Sequence, residues 1–137
     1  MEAFYIKRKV YYHHTDAGGV VYYSRYLEFL EEGRSEYLLK QGIDVVKYAE
    51  GGVIFPVVRI EVDYKRPARY GDVISIFIRI EKVGNASIQF AQEIKKDDVI
   101  LVISKATLAC IGKDFKVRPI PDEIKLAMGT SPKGTPC

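Results

Sequence analysis

Cysteine is scarce in this chain, and the scarcity excludes two kinds of small protein at once. Among 137 residues only Cys110 and Cys137 are present, too few for a disulfide framework and without the paired spacing of a zinc site. Long apolar runs are missing too. None approaches the roughly 18 residues that a bilayer-spanning helix needs, so no membrane insertion is expected. The opening residues Met1 to Arg8 lack the charged, apolar, small order of a signal peptide, and a soluble cytoplasmic protein is the expectation. Charge of one sign is nowhere gathered into a block: 21 Lys and Arg are interspersed with 18 Asp and Glu, for a formal net charge of +3. That distribution gives poor support to nucleic-acid binding but leaves room for a small molecule bearing phosphates. No repeat of fixed period occurs. Linker-like composition is confined to Gly129 to Cys137, rich in Gly, Thr, Ser and Pro, which is expected to be a flexible tail. A single domain over residues 1–128 is therefore expected.

What is present is a chain able to fold, since 47% apolar and 28% charged residues suit a globular domain. Phe4 to Tyr12 alternates well enough to predict a first strand. His13 to Val21 interrupts it with Thr-Asp-Ala-Gly-Gly, a tight loop in which Gly18 and Gly19 can take backbone conformations closed to other residues. From Ser24 to Gln41 the apolar residues Tyr26, Leu27, Phe29, Leu30, Tyr37 and Leu38 recur at helical spacing, with Ser24 as N-cap and Gly42 as stop. Its wide apolar band predicts a helix wrapped by a sheet. A short helix over Asp44 to Glu50 follows, then strands over Val57 to Arg66, Asp72 to Glu81, a stretch marked by Ile88, Phe90 and Ile94, and Val99 to Ile111. A strand, a long helix and four strands in meander predict an α+β architecture, an antiparallel five-stranded sheet packed on one long helix.

Residues able to do chemistry concentrate in the loop between the first strand and the helix. There His13, His14, Thr15 and Asp16 precede two glycines and two valines, and Tyr22, Tyr23 and Tyr26 follow. Strand geometry would project His14 and Asp16 to one side, which leaves a His-Asp relay or a metal pair open. No third ligand is evident, and neither metal nor cofactor is expected. Asp16 is also the residue type that holds a Gly loop as an Asx turn, and the tyrosines can equally be core or interface. Arg34, charged within an apolar helix, is expected to pair with Glu31 or Glu36.

The string Thr15-Asp16-Ala17-Gly18-Gly19-Val20-Val21-Tyr22-Tyr23-Ser24-Arg25-Tyr26 resembles the active-site signature of the 4-hydroxybenzoyl-CoA thioesterase family, enzymes of the hotdog fold, and most closely its branch associated with the Tol-Pal envelope system. Looser matches follow in order at Glu32-Gly33-Arg34-Ser35-Glu36, Asp63-Tyr64-Lys65-Arg66-Pro67-Ala68 and Gly71-Asp72. The resemblance implies hydrolysis of an acyl-CoA, or of an acyl carrier protein thioester, with Asp16 as catalytic carboxylate. It puts the oxyanion donor at the backbone N–H of Tyr23, with His14 and Gly19 in supporting places. A carboxylate and a helix start suit the task, because a thioester needs an activated water or nucleophile and a donor for the developing oxyanion. Tyr22 and Tyr26 are candidates for the acyl pocket. Lys65, Arg66 and Arg69 form the densest cationic group and are candidates for CoA phosphates; a solvated turn is the alternative. The resemblance also implies a homo-oligomer, dimer or tetramer. Many members of the branch carry His where this chain has Tyr23, so assistance by a histidine there is absent. A hotdog dehydratase or hydratase, and a non-catalytic acyl-thioester binding domain, are the competing functions.

Overall fold

The computed structural model describes residues 3–129; most of the expected tail, residues 130–137, lies outside them. The elements run β1 (Phe4–Lys9), a single 3-10 turn (Tyr12–His14), α1 (Arg25–Lys40), α2 (Val45–Glu50), β2 (Val57–Tyr64), β3 (Val73–Val83), β4 (Ser87–Lys96), β5 (Val99–Ala109) and α3 (Asp122–Ala127). The strands form one five-stranded sheet in the order β1-β3-β4-β5-β2, with β1 antiparallel to β3 from Phe4 opposite Ile78 to Lys9 opposite Val73. The α+β class and the long helix are as expected. A meander of four strands is not: β2 pairs with β5 and forms an edge, leaving β3, β4 and β5 as the meander.

The first strand also stops earlier than its alternation predicts. Its partner β3 begins at Val73, opposite Lys9; Val10 adds one more pairing, its N–H donated to the Asp72 carbonyl at 2.8 Å and its carbonyl accepting Gly71 N–H at 2.9 Å. After that the partner turns away through Arg69–Asp72 and the chain enters the 3-10 turn. The edge position explains β2. Val57, Val58 and Tyr64 are exposed and only Ile60 and Val62 are half-buried, because an edge strand is covered less completely than an interior one.

The chain divides into two compact units. In the first, which holds residues up to Tyr37, Glu61–Arg79 and Ala91–Ser104, the buried face of β3 presents Ile74, Ile76 and Ile78, and α1 presents Tyr26, Phe29 and Leu30. The helix touches the sheet at Gly33, where an added Cβ would come within 2.7 Å of both Ile76 and Ile78. Arg34 lies on this buried side. Its guanidinium donates to Gln92 Oε1 on β4 at 3.0 Å, and Gln92 Nε2 donates to the Leu30 carbonyl at 2.9 Å. The ion pair expected with Glu31 or Glu36 is absent: Arg34 faces the sheet, while both carboxylates are exposed and Glu31 accepts from Ser35. Burial holds the Arg34 pKa below its ordinary value, opposed by Glu31.

The second unit holds Leu38–Ile60, Ile80–Phe90 and the chain from Lys105. In it α1 ends at Gly42, whose φ of +83° suits glycine, with the Ile43 N–H donated to the Leu38 carbonyl at 2.8 Å. Asp44 caps α2 by accepting from the N–H groups of Val46 and Lys47.

Candidate active site

The site grows from backbone hydrogen bonds of the first unit. After the 3-10 turn the chain folds back on itself: Asp16 N–H is donated to the Val20 carbonyl at 2.9 Å, Gly19 N–H to the Asp16 carbonyl at 3.0 Å, and Thr15 bridges to Val21. The tight reversal puts Gly19 at a φ of +79°, which is why a glycine stands there. The loop is fastened to the segment after β2, with Val21 N–H donated to the Ala68 carbonyl at 2.9 Å and Val20 bridging Arg69. Asp16 is exposed, and its Oδ1 accepts the Gly18 N–H at 2.8 Å. This is an Asx turn, and it leaves Oδ2 without a hydrogen-bond partner among the described residues. Turn residue and chemically available carboxylate therefore coexist in one side chain.

At the start of α1, Tyr22 N–H is donated to the His14 carbonyl and Arg25 N–H to the Tyr22 carbonyl, both at 2.9 Å. The Tyr64 hydroxyl donates to the Tyr23 carbonyl at 3.1 Å. Tyr23 N–H has no acceptor among the described residues. It lies two residues ahead of Arg25, the first residue of the 16-residue helix α1, near the positive end of the helix dipole.

Beside it lies a cavity of about 260 Å³ lined by Tyr23, Tyr26, Tyr64, Lys65, Arg66 and neighbouring Val21 and Pro67. Tyr26 is buried and accepts the Ala68 N–H at its hydroxyl, 2.9 Å away, which braces the turn after β2 against the helix. Burial pushes its hydroxyl pKa up, opposed by the hydrogen bond from Ala68. The Tyr64 ring meets the Tyr26 ring edge-on at 5.5 Å.

A family model described as the thioesterase superfamily matches residues 18–103. The chain belongs to that family. The matched stretch begins two residues past Asp16. Haemophilus influenzae acyl-CoA thioesterase YbgC is 34% identical over 122 residues, 87% of this chain and 89% of that protein. The crystal structure of a "probable thioesterase" from Bartonella henselae superposes with a TM-score of 0.83 at 35% identity, covering 88% of this chain and all of that one. The structure of the Synechocystis 1,4-dihydroxy-2-naphthoyl-CoA thioesterase, at 24% identity and a TM-score of 0.85 over 93% of this chain and 96% of that one, agrees in fold. The sheet and helix are those of the hotdog fold.

Within this thioesterase fold the cavity brings together four of the residues singled out from sequence, Tyr23, Tyr26, Lys65 and Arg66, and leaves others outside its wall. The Tyr22 ring lies against that of Tyr23, centres 4.7 Å apart and planes tilted by 42°. Arg69 is exposed, with its N–H on Asp72 Oδ2 at 2.9 Å. His14 does not project beside Asp16 as a strand would place it, because it ends the 3-10 turn. Its Nδ1 accepts the Tyr11 N–H at 2.8 Å, and its ring packs 4.8 Å from Phe29 and 4.0 Å from His13. Burial, then His13 and Arg25, hold its pKa below the ordinary histidine value, opposed by Glu28 and Glu32. Among the described residues no group of three or more His, Cys, Asp and Glu is placed to hold a metal ion, and no helix is long and apolar enough to cross a membrane. Sequence reasoning missed Tyr64 as a residue of the site. It stands in the looser match Asp63 to Ala68, at the end of a strand, where alternation predicts no more than a half-buried side chain.

Proposed function

We propose that this thioesterase hydrolyses an acyl-CoA, or the matching acyl carrier protein thioester, to a carboxylic acid and a free thiol. The observation that carries the reading is the pairing, within one hydrogen-bonded loop, of an exposed carboxylate with an open oxygen at Asp16 and an unspent backbone donor at Tyr23. In the general-base course, Asp16 takes a proton from water as the water oxygen bonds to the thioester carbon, and Tyr23 N–H receives the developing oxyanion. Collapse of the tetrahedral species re-forms the carbonyl and breaks the C–S bond, and the thiolate leaves with a proton. In the nucleophilic course Asp16 attacks instead, and water then hydrolyses the resulting anhydride. Either course needs no metal or cofactor. Lys65 and Arg66, at the cavity rim, receive CoA phosphates, with Arg69 further out; Tyr26 and Tyr22 shape the acyl region, and His14 and Gly19 hold the loop.

The YbgC relative of Haemophilus influenzae is named an acyl-CoA thioesterase, which supports the substrate class over a dehydratase or a binding domain. We infer that residues 1–128 act as one hotdog domain in the cytoplasm, where a free thiol such as the buried Cys110 stays reduced. The exposed edges β1 and β2 suit a homodimer or tetramer, and light scattering showing an active monomer at micromolar concentration would refute that. The function itself is tested by thiol release from a panel of aliphatic and aromatic acyl-CoA esters. Hydrolysis of at least one is expected; binding without thiol release from any would leave the non-catalytic alternative standing.

A further inference from the structure

Three of the four backbone hydrogen-bonding groups of Tyr22 and Tyr23 are occupied. Tyr22 N–H is on the His14 carbonyl, the Tyr22 carbonyl takes Arg25 N–H, and the Tyr23 carbonyl takes the Tyr64 hydroxyl. The fourth, Tyr23 N–H, is the one left open. A trans peptide is planar, with its N–H antiparallel to its carbonyl. The Tyr22 carbonyl, turned into the helix toward Arg25, therefore turns Tyr23 N–H the opposite way, out of the helix start. That fixes one side of Tyr23 from within its own element. The other side, the peptide from Tyr23 to Ser24, is held from a different element altogether, the edge strand β2.

We propose that Tyr64 is a positioning residue for catalysis, whose hydroxyl holds the Tyr23 carbonyl and so keeps Tyr23 N–H aimed at the thioester oxyanion. The inference rests on the function proposed above, in which that N–H is the oxyanion donor. Tyr64 is well placed for the task. It is the last residue of β2, and the next two N–H groups, of Lys65 and Arg66, both go to the Leu101 carbonyl at 2.8 and 3.1 Å, which ties the strand end to β5. Its ring is braced edge-on against Tyr26, itself buried and hydrogen-bonded to Ala68 N–H. Tyr64 is about half exposed, but the tied strand end and the braced ring place its hydroxyl on the Tyr23 carbonyl, and that carbonyl is part of the residue that carries the donor. Donors fixed in advance lower the barrier because they need no reorganisation as charge develops. A loosened donor acts on the transition state more than on the bound ester.

Tyr64→Phe removes the hydroxyl and keeps the ring, so the cavity wall and the brace on Tyr26 persist. Wild type, Tyr64→Phe and Asp16→Asn are compared for thiol release from benzoyl-CoA, isobutyryl-CoA and hexanoyl-CoA, and for thermal midpoint. Expected for Tyr64→Phe is a kcat about three- to tenfold lower, the scale of one neutral hydrogen bond. KM should stay within about twofold, with the midpoint unchanged. An unchanged kcat, a rise in KM alone, or a kcat loss that tracks a lowered midpoint would each overturn the inference. Asp16→Asn separates this from the function itself. If Asp16→Asn is inactive and Tyr64→Phe keeps full kcat, the function stands and only the role of Tyr64 is refuted. If Asp16→Asn keeps its turnover, or wild type hydrolyses none of the three esters, the proposed function falls and the inference falls with it.

Discussion

The cavity at the start of α1 holds about 260 Å³ and the one between Lys47 and Arg118 about 390 Å³, and both bring two cations together with tyrosine. In the larger one the polar groups answer one another: the Tyr48 hydroxyl is 3.3 Å from Glu123 Oε1, and the Arg118 guanidinium donates to the Gly52 carbonyl at 3.3 Å. In the smaller one the hydroxyls of Tyr64 and Tyr26 hold backbone groups, and the Tyr23 N–H is left over. Volume and cation count would favour the larger cavity or rank the two as equals. A carboxylate with an open oxygen does not separate them, since Asp114, whose Oδ1 accepts Lys116 N–H at 3.0 Å, stands near Arg118 of the larger one. What separates them is the backbone N–H of Tyr23, which has no acceptor among the described residues.

The most damaging test of that contrast is Asp16→Asn. Asparagine keeps an oxygen to accept Gly18 N–H, so the Asx turn survives, while base and nucleophile are lost. A fall in kcat of at least about 100-fold is expected, the lower bound for a positioned acid-base group, with the fold intact by circular dichroism. Near-normal turnover would make Asp16 a turn residue of the same kind as Asp114.

A smaller effect comes from reversing charge in both. Lys65→Glu with Arg66→Glu should raise KM for a CoA ester about tenfold with little change in kcat, two weak exposed contacts acting together. Lys47→Glu with Arg118→Glu, in the larger cavity, should leave KM where it was. Equal behaviour of the two double variants, or an equal effect on short pantetheine esters that lack the nucleotide, would return Lys65 and Arg66 to a solvated turn.

The parts of this comparison legible in sequence are those decided within one element. Isoleucines at alternate positions of β3 and apolar residues at helical spacing in α1 announce their own buried faces. Alternation says which face is buried but not which strand is next door, so the move of β2 to the edge beside β5 was hidden. The end of β1 depends on where β3 begins. The pairings that define the site are more remote still: Tyr64 reaches Tyr23 across 41 residues, and Arg34 finds Gln92 across 58. Arg34 looked like a local ion pair because only near neighbours can be weighed in a helix pattern. The loop itself was readable because its chemistry is local, a carboxylate and two glycines in a reversal, and the Asx turn and the open donor at Tyr23 are what those residue types make there.

The smallest expected effect concerns His14, which fastens the turn before the Asp16 loop and has no counterpart among the residues lining the larger cavity. Its Nδ1 must be unprotonated to accept Tyr11 N–H, so the neutral ring belongs to the folded state. Burial, His13 and Arg25 depress its pKa, with Glu28 and Glu32 in opposition. A depressed folded pKa means that, as pH falls below the ordinary histidine value of about 6.5, the unfolded chain takes up the proton first. Stability from this group is therefore complete above that value and is lost as pH falls toward the depressed one. Because the side chain is largely solvated, the loss should be modest, about 2 °C in thermal midpoint between pH 7 and 5.5. Carboxylates titrate as well, so the measurement is a difference: wild type minus His14→Gln, which offers an acceptor that does not titrate. The two melting curves should converge in pH dependence above pH 7 and separate below 6.5, with wild type losing more. Parallel curves across the whole range would show that His14 carries no pH-sensitive contact, and the turn would then owe its shape to its backbone hydrogen bonds and to the Thr15 hydroxyl, which donates to the Tyr12 carbonyl at 2.7 Å.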